Sequence, residues 1–328
     1  MNKRTELFKY ALKRLLQGIP LIVAVIILCF ILIQLAPGDP VTVMSAGFTP
    51  SDETRAQLEA SWGLDQPIHI QLIRYFTRIL HGDFGNSYFQ GAPVLDIICE
   101  RIPATLLLMF TGIILSSIVG IIGGVICAKY LHKPIDNVIS SVALVGYSVP
   151  LFWVGQVLIL IFAVKLKCMP VSGMENIRES FEGLDRVLDI GKHLILPGLS
   201  LSFWFTALML RITRTKMAEV LQSDFIKTAY AKGLPERRII IGHALRNSLS
   251  SIVTVFGIEF SVTFMGAVVI ETVFGWPGTG KLLFDSVMNR DYPVITGMFC
   301  LIAVTVIVVN VIVDIIYALL DARIRYES

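Results

Sequence analysis

Two runs in this 328-residue chain carry the spacing of nucleotide chemistry, and each fails on its context. Gly275-Trp276-Pro277-Gly278-Thr279-Gly280-Lys281 matches the G-x-x-x-x-G-K of a phosphate-binding loop. Such a loop needs a Ser or Thr hydroxyl after the lysine to hold Mg²⁺, and a parallel-sheet unit to carry it. Leu282 stands in the hydroxyl position and no such unit surrounds the run, which reads instead as a rigid turn followed by a short re-entrant or surface helix. Val311-Ile312-Val313-Asp314 imitates the strand of a Walker B site but lies inside a long apolar stretch. The histidines (His69, His81, His132, His193, His243) are dispersed, and no Cys/His cluster has zinc spacing. No nucleotide, metal or other cofactor is therefore expected on this chain, and no enzymatic centre.

Chemistry of another kind resides in charges placed inside apolar runs, where they are costly and usually functional. Glu259 is one, with Thr263 and Gly266 on the same face at helical spacing. Two readings fit: it lines an aqueous path and meets a cationic group such as a peptide amine, or it forms an interhelical hydrogen bond. Asp314, one turn after Asn310, reads as a structural polar contact, and Arg211 is close enough to the end of its run to snorkel.

The elements that carry these groups follow from composition. Hydrophobic residues make up 55% and charged residues 16%, far below the roughly 25% charged of a soluble domain, so the chain is a polytopic membrane protein. A helix crosses the hydrocarbon with about 20 apolar residues. Six stretches qualify: Leu15–Ala36, Ile102–Ala128, Ile135–Val164, Leu194–Arg211, Leu249–Ile270 and Val294–Leu320. The fold class is thus all-α with six transmembrane helices. Gly120 and Gly124 have the small-xxx-small spacing of close helix approach, but glycine is common in membrane helices and the expectation is no special role. Pro150 predicts a kink in the third span. Cys29, Cys127 and Cys300 fall in apolar runs and read as small hydrophobes; Cys99 and Cys168 fall outside, where a disulfide is possible.

Lys and Arg cluster before span one, between spans two and three, between four and five, and after six, which places both termini in the cytoplasm. The organisation is then a cytoplasmic segment 1–14, a first span 15–36, an extracytoplasmic helical subdomain 37–101, a five-helix core 102–320 with a cytoplasmic segment 212–248, and a cytoplasmic tail 321–328. In the outer subdomain Thr49-Pro50-Ser51-Asp52 starts a helix that ends at Gly63. A second runs from Pro67 to His81 with Ile70, Ile73, Phe76 and Ile79/Leu80 on one face. The subdomain packs on the rest of the protein and is also suited to receive a delivery protein. The 167–193 connection, rich in Glu and Asp, reads as a solvated surface.

The 212–248 segment is the most informative. Asp224 can cap a helix that runs to Lys232, Gly233 ends it, and Pro235 with Glu236 starts another that closes near Arg246. Phe225, Ala229 and the Ile226/Tyr230 pair form an apolar ridge at three- and four-residue spacing. Two readings fit such a helix: a knob for a groove in a soluble protein, or an amphipathic helix on anionic lipid.

This segment resembles the EAA loop of bacterial ABC importer permeases, with the signature alanine and glycine on Ala229 and Gly233; Asp224 stands near the family's acidic residue, so a strict Glu-Ala-Ala is not reproduced. Leu35-Ala36-Pro37-Gly38-Asp39-Pro40, Glu271-Thr272-Val273-Phe274-Gly275-Trp276-Pro277-Gly278 and Asn289-Arg290-Asp291-Tyr292-Pro293 are similar to the dipeptide/oligopeptide/nickel permease family. The resemblance covers almost the whole chain. It implies a type I importer permease fold and half of a pore shared with a second, homologous permease, in a bacterial or archaeal cytoplasmic (inner) membrane. Two cytoplasmic ATPase subunits, which hold ATP and Mg²⁺, and an extracytoplasmic substrate-binding protein complete the assembly. Asp224, Phe225, Ala229, Tyr230, Gly233 and Leu234 would dock on an ATPase and rock the spans by alternating access. The implied cargo is di- or oligopeptides, with nickel or another metal chelate as the alternative. Nothing points to nucleic acid. A secondary transporter would need intramembrane carboxylates and internal repeats, and a membrane enzyme a nucleophile–base pair or metal ligands; the chain offers little of either.

Overall fold

The computed structural model describes residues 3–35, 51, 53, 66–176, 178–179 and 181–320; the side chains of 3–12, 250–251, 254–259, 261, 313–314 and 316–320 lie outside that description. All but residues 51 and 53 of the expected Thr49–Gly63 helix, the 36–40 turn and the 321–328 tail fall outside the described residues. Among the described residues all regular elements are helices, in the order α1 (Lys3–Leu35), α2 (Ile68–Leu80), α3 (Val94–Lys129), α4 (Pro134–Ser148), α5 (Leu151–Leu158), α6 (Gly183–Leu221), α7 (Asp224–Ala231), α8 (Arg246–Phe274), α9 (Thr279–Asn289) and α10 (Tyr292–Leu320). π-Helical stretches extend α5 over Ile159–Lys165 and lead into α8 over Arg238–Leu245.

Among the described residues four helices are long and apolar enough to cross a membrane, and α4 with α5 makes a fifth if the bent pair is one span. The helices overrun the apolar stretches that predict them: α1 starts at Lys3, α3 at Val94 and α6 at Gly183. Hydropathy marks the hydrocarbon boundary, whereas a helix stops only where its backbone hydrogen bonds do. Span three departs from expectation more sharply. Pro150 does not kink a continuous helix; Val149 and Pro150 are extended, α5 starts afresh after Pro150, and the two halves meet at 100°.

The chain forms two compact units, residues 1–103 with 281–308, and 104–280 with 309–328. In the first, Ile26, Ile79 and Cys300 are buried together with Tyr75, Phe76 and Phe84 around them, and Tyr75 Oη bonds to Thr296 Oγ1 at 2.8 Å. The buried stripe of α2 is therefore Tyr75, Phe76 and Ile79; Ile73 and Leu80, expected on it, are exposed. Cross-helix neighbours rather than simple spacing chose that face.

In the second unit α3 and α6 touch backbone to backbone. A Cβ on Gly120 would lie 2.6 Å from Met209 Cβ, and one on Gly124 2.5 Å from Thr213 Cβ and 2.9 Å from the Arg214 nitrogen. Gly120 and Gly124 are thus used for close approach, contrary to the sequence-based expectation. A second core gathers Leu108, Leu201, Phe205, Ile270, Phe274 and Trp276. Cys99 and Cys168 are both free thiols.

Candidate coupling segment and outer turns

The 222–245 segment leaves α6 at Leu221 through Gln222 and Ser223. Asp224 is the first residue of α7 rather than its cap: Ser223 holds the N-cap position, and Asp224 Oδ1 accepts from Lys227 Nζ at 2.8 Å. At the other end the prediction holds in detail. Gly233 adopts φ +70°, a left-handed conformation costly for residues with a Cβ. Its N–H donates to Tyr230 O at 2.9 Å, and Leu234 N–H donates to Ala229 O at 3.3 Å, the paired bonds of a Schellman cap with Leu234 packed beneath.

The ridge expected on α7 divides between two faces. Ile226 and Ala229 are buried against Ala128, Met217, Ile239, Ile240 and Ala244, while Phe225 and Tyr230 are about half exposed at 47% and 50%. Ala229 thus fastens the helix to the body, and the two aromatics are what the segment presents outward. The helix after Pro235 does not close near Arg246; it runs on through the π-helical stretch into α8. No breaker separates them, so the segment is anchored to two long helices. Lys129 at the end of α3 reaches Glu236 at 3.1 Å. A cavity of about 280 Å³ lies behind α7, between Ala128, Leu221, Tyr230 and Ile240.

On the 271–280 turn, Gly275 (φ +61°) ends α8. Trp276 is fully buried, its indole N–H donating to Ala104 O at 2.9 Å, and Glu271, also fully buried, accepts from Thr105 Oγ1 at 2.7 Å. A Cβ on Gly278 would run into the Glu271 carboxylate and one on Gly280 into the Val268 backbone beside it, so these glycines close the turn over a buried acid. Glu271 opens the 271–278 run in sequence, and the fold places its carboxylate beneath the glycines of that same run. Lys281, the lysine of the apparent phosphate loop, ion-pairs with Asp285 at 2.5 Å, one turn along α9. Lys281→Ala is therefore expected to leave activity within about twofold, since partly exposed i,i+4 pairs contribute roughly 0.3–0.5 kcal/mol; loss of all activity would restore the nucleotide reading.

Asp291 plays the matching part in the first unit. It is buried, accepts from Ser87 Oγ at 2.5 Å and from Tyr88 N at 3.2 Å, and so pins the 83–93 turn to the start of α10. Burial, with the Asp291 charge beside it, pushes the Tyr88 phenol above its ordinary range. Of the groups expected to line a path, Thr263 is fully buried within its unit, and the Glu259 side chain lies outside the described residues. Among the described residues no His, Cys, Asp and Glu cluster could hold a metal ion.

Comparison with known proteins bears on all of these elements. The model of the family described as binding-protein-dependent transport system inner membrane component matches residues 120–326, and that of its N-terminal membrane component matches residues 7–109. Over 318 residues the chain is 40% identical to the oligopeptide transport system permease protein AppB of Bacillus subtilis (strain 168), covering 97% of this chain and 99% of that one. It is 37% identical to the dipeptide transport system permease protein DppB of Escherichia coli (strain K12), over 98% of this chain and all of the other. Among solved structures, the inward-facing MetNI methionine ABC transporter matches with a TM-score of 0.56 over 69% of this chain and 97% of that one, at 14% identity, a likeness of fold.

Proposed function

Because the chain belongs to the binding-protein-dependent transport system inner membrane component family, we propose that it is the permease subunit of an ATP-driven peptide importer. The observation that carries this reading is the near full-length identity to AppB and DppB, both named as peptide permeases. The geometry of α7 agrees with it: a capped helix, packed on the ends of α3 and α6, holds two aromatic side chains outward. In this reading six spans cross the inner membrane with both termini in the cytoplasm, and the chain forms half of a pore with a second permease. Two ATPases bind ATP and Mg²⁺ and dock on the Asp224–Leu234 segment, an extracytoplasmic binding protein delivers the peptide, and Glu259 stands at the path.

The test is uptake into proteoliposomes that contain this chain, its second permease and the ATPases, with the binding protein added outside the pore's outer face. Labelled di- and oligopeptides are expected to accumulate only with both ATP and binding protein. Accumulation of a nickel chelate in place of peptides would move the cargo to metal chelates. Uptake that persists without the ATPases would replace the importer with a secondary transporter.

A further inference from the structure

A stroke delivered to α7 moves cargo only if it is passed to the spans, and the second unit contains a polar tie suited to that task. Arg214 lies on α6 about two turns before its end at Leu221. Its Nε donates to Asp136 Oδ1 at 2.6 Å and its Nη2 to Oδ2 at 2.8 Å, a bidentate pair. Asp136, in the first turn of α4, has no exposed surface and accepts two more bonds, from His132 N at 2.9 Å and Ser140 Oγ at 3.2 Å. The carboxylate is thereby held on both sides, by its own helix and by α6.

Everything around Arg214 is a single packed body. The glycines of α3 lie on Met209 and Thr213, and the cytoplasmic core joins Ala128, Met217, Ile226, Ala229 and Ile239. Helix α4 is different. Val138, Val142, Leu144 and Val145 are each more than 60% exposed, so much of its surface has no partner among the described residues. At its far end it rests on α6 through Tyr147 stacked on Trp204, ring centroids 5.0 Å apart, and through Gly146 against Phe203. At the near end the Asp136–Arg214 pair is the charged hold, with Ser140 beside Cys127 of α3, and beyond Ser148 comes the 100° break into α5. A buried ion pair contributes little net stability, because desolvation offsets its attraction; what it does well is fix register between two elements.

We propose that Asp136 and Arg214 are positioning residues that couple α4 to the α3–α6–α7 body, so that motion of α7 is transmitted to the broken third span. This rests on the reading of α7 as the ATPase-docking helix. Without the pair, α4 pivots about the Tyr147–Trp204 stack, and the stroke is lost between the body and the span.

The experiment uses the complete importer in proteoliposomes, with ATP hydrolysis and peptide uptake measured on the same vesicles. Asp136→Asn keeps the side-chain shape and removes the charge. Peptide carried per ATP hydrolysed should fall about tenfold, within the range typical of a coupling free energy between sites, while hydrolysis stays within about twofold. A second arm restores the tie covalently. Ser140 Oγ lies 4.0 Å from Cys127 Sγ, so Ser140→Cys offers a disulfide from α4 to α3. Oxidation should leave transport intact when Asp136 is present and should rescue the ratio in Asp136→Asn, with reduction reversing the rescue. The proposal is overturned if the oxidised Ser140→Cys importer hydrolyses ATP but stops transporting, since α4 would then have to move against the body. It is equally overturned if Asp136→Asn leaves the ratio unchanged, or lowers hydrolysis and uptake in parallel without rescue. Should Asp136→Asn fail to assemble, the oxidised Ser140→Cys importer decides alone. Absence of ATP-dependent uptake by the unaltered importer would instead count against the importer reading.

Discussion

Gly124→Leu is expected to destabilise the folded permease severely. A Cβ at this position would meet not only Thr213 Cβ but backbone atoms, Leu210 O at 2.8 Å and Arg214 N at 2.9 Å. A side chain can rotate away from an intruder, whereas two helix backbones in contact can yield only by separating. Overpacking a well-packed site costs about 1–3 kcal/mol, occasionally more, and a backbone clash belongs at or beyond the upper end. Against a total stability of about 5–15 kcal/mol, that removes more than a hundredfold from the ratio of folded to unfolded chains. Gly191→Leu is the control: it lies in α6 with nothing within 4 Å of the added carbon and exchanges a poor helix former for a good one. Membrane-integrated protein and its melting temperature in mild detergent are the readouts. Equal stability of the two variants would show that α3 and α6 do not pack through Gly124.

Phe225→Asp should cost about a hundredfold in ATPase association and in uptake, with the permease itself intact. Phe225 is 47% exposed and touches no core cluster, so its loss spares the fold. Aromatic anchors at interface centres cost at least about 2 kcal/mol when truncated, and a charge in their place adds desolvation. Tyr230→Asp should behave alike. Ile226→Asp, one residue further along α7 but fully buried, should instead collapse the segment and lower stability as well as transport. Co-purification of the ATPases with each variant, set beside its melting temperature, separates the two outcomes. If Phe225→Asp retains its ATPases and its uptake, the outward aromatics are not the docking surface.

Those contrasts show where spacing alone misleads. Phe225, Ile226, Ala229 and Tyr230 share three- and four-residue spacing, and from sequence they form one ridge. A stripe of that width on a short helix spans both the packed and the free side. Only the position of Met217 and Ile239 decides that Ile226 and Ala229 turn inward. The Schellman cap, by contrast, was legible, because Gly233 followed by Leu234 and Pro235 leaves the chain few alternatives. Pro150 was read as a kink because proline removes one hydrogen bond from a helix. The extended conformation of Val149, which proline also favours in the residue before it, turned a kink into a break.

By itself the sequence determined the membrane character, several of the span positions and the glycine that ends the 224–231 helix. These depend on local composition, on glycine and proline backbone limits and on hydropathy summed along the chain, none of which needs a neighbour. Only the tertiary structure decided that Gly120 and Gly124 are contact points, that Glu271 and Asp291 are buried beneath their turns, and that Asp136 is tied to Arg214 across 78 residues of chain. A glycine is a contact only when a backbone lies against it, and a carboxylate is a structural tie only when a distant donor faces it. Both are properties of pairs brought together by folding, which a linear spacing does not contain.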